Sequence, residues 1–117
     1  MLELNRLYNM DCMEGMAQFP DKYFELAIVD PPYGINANHN MGRRKGDRAS
    51  NYKKIDWDNN TPTAEYFNEL SRVSHNQIIW GGNYFVLPPC KCFVIWKKAA
   101  NMRRYVIFNV RIRMDFI

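Results

Sequence analysis

The four residues Asp30-Pro31-Pro32-Tyr33 have the types and the order that would let a protein activate a planar amine. The lone pair of such an amine is delocalised into its ring, so its hydrogens must be drawn toward acceptors before the nitrogen can attack. The Asp30 carboxylate and the Pro31 carbonyl can be these acceptors, and the Tyr33 ring can stack on a base. A base paired in a duplex would have to be flipped out of the helix to reach them. The same residues also suit an ordinary turn after a strand.

The segment before Asp30 predicts where this motif lies. Residues 24–29 are nearly continuous in apolar side chains, which is typical of a central parallel strand that helices cover on both faces. Ligands of open parallel sheets bind beyond the carboxyl ends of the strands. We therefore expect the motif at the ligand-binding edge of the sheet, where Pro31 and Pro32 keep the backbone rigid and remove two donors.

Two helices are predicted from their capping residues and apolar spacing. Asp11 can cap a first helix that runs to about Phe19, with a glutamate three residues after the cap. Thr61 as N-cap and Pro62 at the first helical position start a second helix, which ends near residues 75–76. Both helices carry apolar side chains three and four residues apart, so each should bury one face.

Short strands are predicted between and after these helices. Residues 7–10, 77–80 and 92–96 are apolar segments of strand length. Residues 105–114 alternate strictly between two faces, which indicates a half-exposed, antiparallel strand at or near an edge. The alternation of helices and strands predicts the α/β class, with an open and mostly parallel sheet.

Residues 35–60 predict a long basic surface loop, because they are rich in Asn, Gly and basic residues and show no apolar period. The net charge is +4, and most of the 16 lysines and arginines lie in this loop or after residue 96. Such clusters suit a polyanion, and a solvated basic surface is the open alternative. The candidate contacts to nucleic-acid phosphates are Arg43, Arg44, Lys45, Lys53 and Lys54.

Cysteines and histidines give no sign of a metal site. Cys12, Cys90 and Cys92 are odd in number, and His39 and His75 have no partners at metal-ligand spacing. We expect no metal. Neither a membrane-spanning apolar run nor a signal-peptide layout is present in the sequence, so a cytoplasmic protein is expected.

Taken together, these motifs resemble the opening of beta-class DNA N6-adenine methyltransferases, and of phage and prophage members in particular. The resemblance rests on residues 8–16, 19–21 and 26–34, and on two later stretches at residues 78–85 and 93–98. The combination is far more specific than any one motif. It implies a Rossmann-like, S-adenosylmethionine-dependent methyltransferase sheet in permuted order, with the catalytic motif early and the cofactor loop late.

The resemblance also implies roles for individual residues. S-adenosylmethionine would be the methyl donor and adenine in double-stranded DNA the substrate, because an aspartate rather than a serine at position 30 favours adenine over cytosine. The implied catalytic residues are Asp30, Pro31, Pro32 and Tyr33. The implied cofactor contacts are Asp11, Cys12 and Asp30. Asp11 is equally well explained as an N-cap, and both roles can hold. Trp80-Gly81-Gly82 either lines the ligand site or is a core aromatic followed by a turn.

One expected feature of that family does not occur in the printed sequence. No Phe-x-Gly-x-Gly segment, the family's cofactor loop, is found among the 117 residues. We therefore expect residues 1–117 to form a partial methyltransferase domain with an incomplete sheet, from a site-specific enzyme of the restriction-modification kind. Two other functions stay open: a catalytically inactive nucleic-acid-binding remnant, and an amino-methyltransferase acting on RNA. A homodimer is also open.

Overall fold

The computed structural model describes residues 1–36, 56–90, 92–97 and 105–111. Helix α1 spans Cys12–Met16, and strand β1 spans Phe24–Val29. Helix α2 spans Ala64–Val73 and passes directly into strand β2 at Ser74–Trp80. A short 3-10 helix at Gly82–Tyr84 follows, and strands β3 at Cys92–Lys97 and β4 at Tyr105–Arg111 complete the described elements. The fold therefore mixes helices and strands, as the alternating pattern predicts.

The four strands form one sheet in the order β1-β2-β4-β3. Strands β1 and β2 pair in parallel, with Phe24 opposite Ser74 and Val29 opposite Ile79. Strand β4 runs antiparallel to both of its neighbours, β2 and β3. Three strands thus share one direction, but only one of the three described strand pairs is parallel. The expectation of a mostly parallel sheet needs this correction, because β4 is inserted between two strands that run the other way.

The antiparallel direction of the last strand is confirmed, and it lies one strand in from the edge, which β3 forms. The strand predicted at residues 7–10 is wrong: these residues have no strand conformation, and the Leu7 side chain is 99% exposed. A strand needs a neighbour to accept and donate its ladder hydrogen bonds. No strand of the described residues pairs with this segment.

Both helices differ from their predicted bounds. Helix α1 ends at Met16, and its predicted last turn is a separate 3-10-type turn in which the Phe19 amide donates to the Met16 carbonyl at 3.0 Å. The N-cap of α2 is Thr63 rather than Thr61. Strand β2 begins at Ser74 rather than Gln77, because pairing with β1 extends the strand back to the last residue of the helix. Local propensity does not contain that pairing.

The described core is small and lies where α2 packs on β2. Leu70, Val73 and Ile79 are buried, each with 3% exposure or less. The Ser74 hydroxyl donates to the Leu70 carbonyl at 2.5 Å, and the buried Gln77 amide donates to the Ser74 hydroxyl at 2.9 Å. These bonds satisfy the polar groups at the helix-to-strand junction, where an unpaired group would destabilise the fold.

Arg72 connects the two helices. Its guanidinium donates to the Met16 and Phe19 carbonyls at 3.1 and 2.9 Å, at the end of α1. It also forms ion pairs with Asp21 at 2.8 Å and with Glu69 at 2.6 Å. The planar fork of arginine can serve several acceptors at once, so this side chain fixes α1 against α2. In the described ranges, no helix is long and apolar enough to cross a membrane.

Candidate active site

The carboxyl end of β1 opens into a cavity of about 560 Å³. Asp30, Pro31 and Pro32 line it from β1, and Asp11 and Cys12 line it from the start of α1. The sequence-predicted catalytic and cofactor residues other than Tyr33 are therefore brought together on one cavity. The remaining lining residues are Met13, Val29, Asn60, Thr61, Pro62, Thr63 and Tyr66.

Asp11 has the conformation and the hydrogen bond of an N-cap. Its backbone is extended, and its Oδ1 accepts from the Met13 amide at 2.7 Å. The predicted cap is therefore confirmed. The same residue lines the cavity, so capping and ligand contact are geometrically compatible. Contact with a cofactor stays a prediction.

Tyr33 lies beside the cavity rather than in its lining. Its hydroxyl donates to Oδ1 of Asp30 at 2.5 Å. Its ring stacks on Tyr84, with ring centres 4.8 Å apart and planes 9° apart. Burial, followed by the hydrogen bond to Asp30, raises the pKa of Tyr33 above its ordinary value, so the hydroxyl keeps its proton at neutral pH. The predicted stacking of this ring on a base is untested, and Tyr84 already stacks on the ring.

Position 81 requires glycine for two reasons, its left-handed backbone and the Tyr33 ring that lies against it. Its φ is +67°, and an added Cβ would lie 2.3 Å from Cε1 of Tyr33. The sequence offered either a ligand-lining role or a core aromatic and a turn for Trp80-Gly81-Gly82. The structure shows that the group close to the Gly81 backbone is the Tyr33 ring. Trp80 packs edge-on against Trp96, with centres 6.2 Å apart.

Tyr66 is a cavity residue that the sequence pattern assigned only to the buried side of a helix. Burial raises the pKa of Tyr66 to about 12, so its phenol is protonated at neutral pH and can act as a donor. Thr61 and Pro62 likewise line the cavity, although their pattern signalled only a helix start. No local sequence pattern shows that Thr61, Pro62 and Tyr66 lie beside the end of β1, because that contact joins distant segments of the chain. This side of the cavity could therefore not be predicted from the sequence.

Several candidate residues cannot be placed. Arg43, Arg44, Lys45, Lys53 and Lys54 lie outside the described residues. Among the residues that the structure does describe, no group of three or more His, Cys, Asp or Glu could hold a metal ion.

Two curated proteins share short segments with the chain. The chain is 39% identical over 36 residues to the Type II methyltransferase M1.MboII of Moraxella bovis, which is 31% of this chain and 14% of that protein. It is 33% identical over 55 residues to the Type II methyltransferase M.BamHI of Bacillus amyloliquefaciens, which is 47% of this chain and 12% of that protein. No family model and no solved structure matches the chain. The two partial matches suggest a DNA methyltransferase family.

Proposed function

We propose that this chain is the catalytic part of an S-adenosylmethionine-dependent DNA adenine-N6 methyltransferase of the beta class and phage type, which acts on an adenine flipped out of double-stranded DNA. The observation that carries the proposal is the cavity that joins Asp30, Pro31 and Pro32 to Asp11 and Cys12. The partial similarity to two Type II methyltransferases supports it independently. Both matches span a small share of the relatives' lengths, so activity, substrate and partner are proposals for this chain.

The chemistry at the amine follows from the acceptors at the end of β1. Oδ1 of Asp30 accepts from the Tyr33 hydroxyl, and we assign Oδ2 to one amine hydrogen. The Pro31 carbonyl accepts the other, so the nitrogen becomes pyramidal and its lone pair is freed to attack. The nitrogen would form a bond to the methyl group as the carbon–sulfur bond breaks and the sulfur leaves as a neutral thioether, and the nitrogen would lose one proton, for which the Asp30 carboxylate is the adjacent base. Tyr33 holds Asp30 in place through its hydroxyl.

The residues around the cavity fit the proposed cofactor. A volume of about 560 Å³ is within the range of small-molecule sites. Val29, Pro31 and Pro32 offer apolar surface for a planar adenine, and Asp11 offers an acceptor for amine or hydroxyl groups. When bound, S-adenosylmethionine supplies an electrophilic methyl group on a positively charged sulfur. The Asp30 carboxylate complements that charge.

The proposed DNA contacts rest on charge alone. Arg43, Arg44, Lys45, Lys53 and Lys54 form the basic cluster of residues 35–60. Lysine and arginine on phosphate release bound counterions, which gives affinity for any DNA sequence. These side chains therefore serve to hold the duplex, and recognition of a target sequence falls to other residues.

Replacing Asp30 tests the proposed reaction. Asp30→Ala should lower the turnover number for methyl transfer to duplex DNA by about 100-fold or more, because the lost acceptor acts in the transition state. Transfer is measured with radiolabelled S-adenosylmethionine, and the product is identified by mass spectrometry of the digested DNA. Glu25→Ala, an exposed carboxylate on the same strand, is the matched control and should keep full activity.

Either of two results would contradict the proposal. Methylation that survives Asp30→Ala would remove Asp30 from the reaction, and N4-methylcytosine or methylated RNA as product would replace adenine in DNA as substrate. A second candidate function, a catalytically inactive nucleic-acid-binding protein, rests on the basic cluster of residues 35–60. It predicts DNA binding without methyl transfer or saturable cofactor binding.

A further inference from the structure

Asp58 is a buried carboxylate directly behind the catalytic motif. Only 2% of the residue is exposed, although aspartate is rarely buried unless its charge is paired or hydrogen-bonded. Its Oδ1 accepts from the Gly34 amide at 2.8 Å, and its carbonyl accepts from the Asn36 amide at 3.0 Å. The residue thus satisfies the backbone amides of the first and third residues after Tyr33.

The backbone conformation at Gly34 and Asn36 explains why their amides need an acceptor from another segment of the chain. Gly34 has a φ of +70° and Asn36 a φ of +52°, so both lie in the left-handed region. The chain therefore reverses after Tyr33 without a regular pattern that would bond these amides locally. The buried Asp58 carboxylate is a strong acceptor for the Gly34 amide, and the main-chain carbonyl of Asp58 accepts from the Asn36 amide.

The anchored turn leads directly into the proposed catalytic groups. Gly34 is bonded covalently to Tyr33, and the Tyr33 hydroxyl donates to Asp30. A shift of the Gly34 amide would move the Tyr33 ring away from Tyr84, Gly81 and Asp30 together. The negative charge of Asp58 also contributes to the raised pKa of Tyr33, after burial, Asp30 and Tyr84.

We propose that Asp58 is a positioning residue for residues 30–33: its carboxylate holds the Gly34 amide and so fixes the turn from which Tyr33 reaches Asp30. It does not touch the base or the methyl donor. Asp58→Ala should expose the Gly34 amide and lower the turnover number, because catalytic groups tolerate little displacement. The effect on methylation rests on the proposed function, whereas the effect on the Gly34 amide does not.

The test compares Asp58→Ala and Asp58→Asn with the matched control Asp56→Ala, which removes an exposed carboxylate two residues earlier. Amide hydrogen exchange of Gly34 is followed by NMR, and the turnover number and KM for duplex DNA are measured in parallel. Asp58→Ala should speed Gly34 exchange at least about 10-fold and lower the turnover number by about 10- to 100-fold, with KM changed less than about threefold. Asp58→Asn keeps an acceptor oxygen and should rescue both, and Asp56→Ala should alter neither.

The outcome is decided by whether Gly34 protection and turnover change together. Loss of turnover with a protected Gly34 amide, or full turnover with an exposed one, would overturn the proposal. If Asp58→Ala fails to fold, Asp58→Ser, whose shorter side chain lacks the carboxylate, takes its place and is judged by the same criterion. If the wild-type chain transfers no methyl group, the proposed function fails by itself. The positioning role is then judged on the ring carbon resonance of Tyr33, assigned by its loss in Tyr33→Phe: it should shift in Asp58→Ala, and an unchanged resonance would overturn the role.

Discussion

Tyr33 is held by three contacts, each with a different residue type. Its hydroxyl donates to Asp30, its ring stacks on Tyr84, and the Gly81 backbone lies against the same ring. Such packing favours one orientation of the Asp30 carboxylate, which in the proposed reaction would reduce the cost of organising the acceptors. The contact with Gly81 leaves no room for a side chain, so a single added methyl group tests it.

Gly81→Ala should displace the Tyr33 ring and lower methyl transfer. The new Cβ would lie 2.3, 2.7 and 2.9 Å from three ring carbons, so the ring has to move. The left-handed backbone adds a cost of roughly 1–2 kcal/mol to the folded state, which would appear in the free energy of unfolding measured with urea. The turnover number should fall with it, because Asp30 loses its bond from Tyr33.

Gly15→Ala is the matched control, since Gly15 lies inside α1 and an added Cβ would contact only Met10 and Leu2 side-chain atoms at 3.8 and 4.0 Å. Alanine there should be neutral or stabilise the chain by about 0.4–1 kcal/mol. Equal effects of the two substitutions would contradict the role assigned to the Gly81 contact.

Among the secondary-structure elements, helix α1 shapes the cavity, and its orientation depends on its contacts with α2. Helix α1 has five residues, which is too short to be stable by itself. Its N-cap Asp11 and first residue Cys12 line the cavity, while Arg72 of α2 donates to the carbonyl of its last residue, Met16, and to the Phe19 carbonyl of the turn that follows. The orientation of one cavity wall therefore depends on an ion-pair network on the far side of the helix.

Arg72→Ala should lower the melting temperature at neutral pH and flatten its dependence on acid pH. The Arg72 guanidinium lowers the pKa of Glu69 below its ordinary value of about 4.5. The unfolded chain then takes up the proton first, so this stabilisation is present above about pH 4.5 and is lost as the pH falls through the lower folded pKa. Between about pH 3 and 7, the melting temperature should thus rise more steeply with pH for the wild type than for the variant.

Two further variants make this result specific. Arg72→Lys should recover only part of the stability, because an ammonium cannot serve Glu69, Asp21 and two carbonyls with one fork. Arg6→Ala removes an exposed pair with Glu3 and should leave the melting temperature unchanged. An Arg72→Ala chain with wild-type melting behaviour would show that the network does not hold α1.

Much of the architecture could be predicted from local sequence, and three features that could not be predicted share one cause. The apolar run of β1, the Asp11 cap and the position of Asp30 after a strand follow from residue types at short range. The start of β2 at Ser74, the burial of Asp58 and the stacking of Tyr84 on Tyr33 depend on partners more than 20 residues away in the chain. Tertiary pairing overrides local propensity at such positions.

In the part of the chain that the structure describes, few buried side chains support the cavity. Three apolar side chains form the buried core of the described residues, whereas Leu26 and Ile28 of β1 are 46% and 64% exposed. The four consecutive residues from Phe93 to Trp96 on edge strand β3 are exposed by half or more. A ligand that enters the cavity must therefore offset the freedom of loosely supported walls as well as its own.

We expect the 117-residue chain to bind S-adenosylmethionine weakly, and no more tightly than adenosine. Asp11, Cys12 and Tyr66 suit the adenosine part, but the sequence has no Phe-x-Gly-x-Gly segment to hold the methionine part. Binding costs at least about 4 kcal/mol of lost freedom, so calorimetry should give a Kd above about 100 µM for both ligands. Joining a relative's C-terminal segment after about Trp96 should make S-adenosylmethionine the tighter ligand and raise the rate of methyl transfer above that of the unmodified chain. A low-micromolar Kd for S-adenosylmethionine on the unmodified chain, with adenosine much weaker, would contradict this expectation and would mean that other residues of the chain or a second copy hold the methionine part.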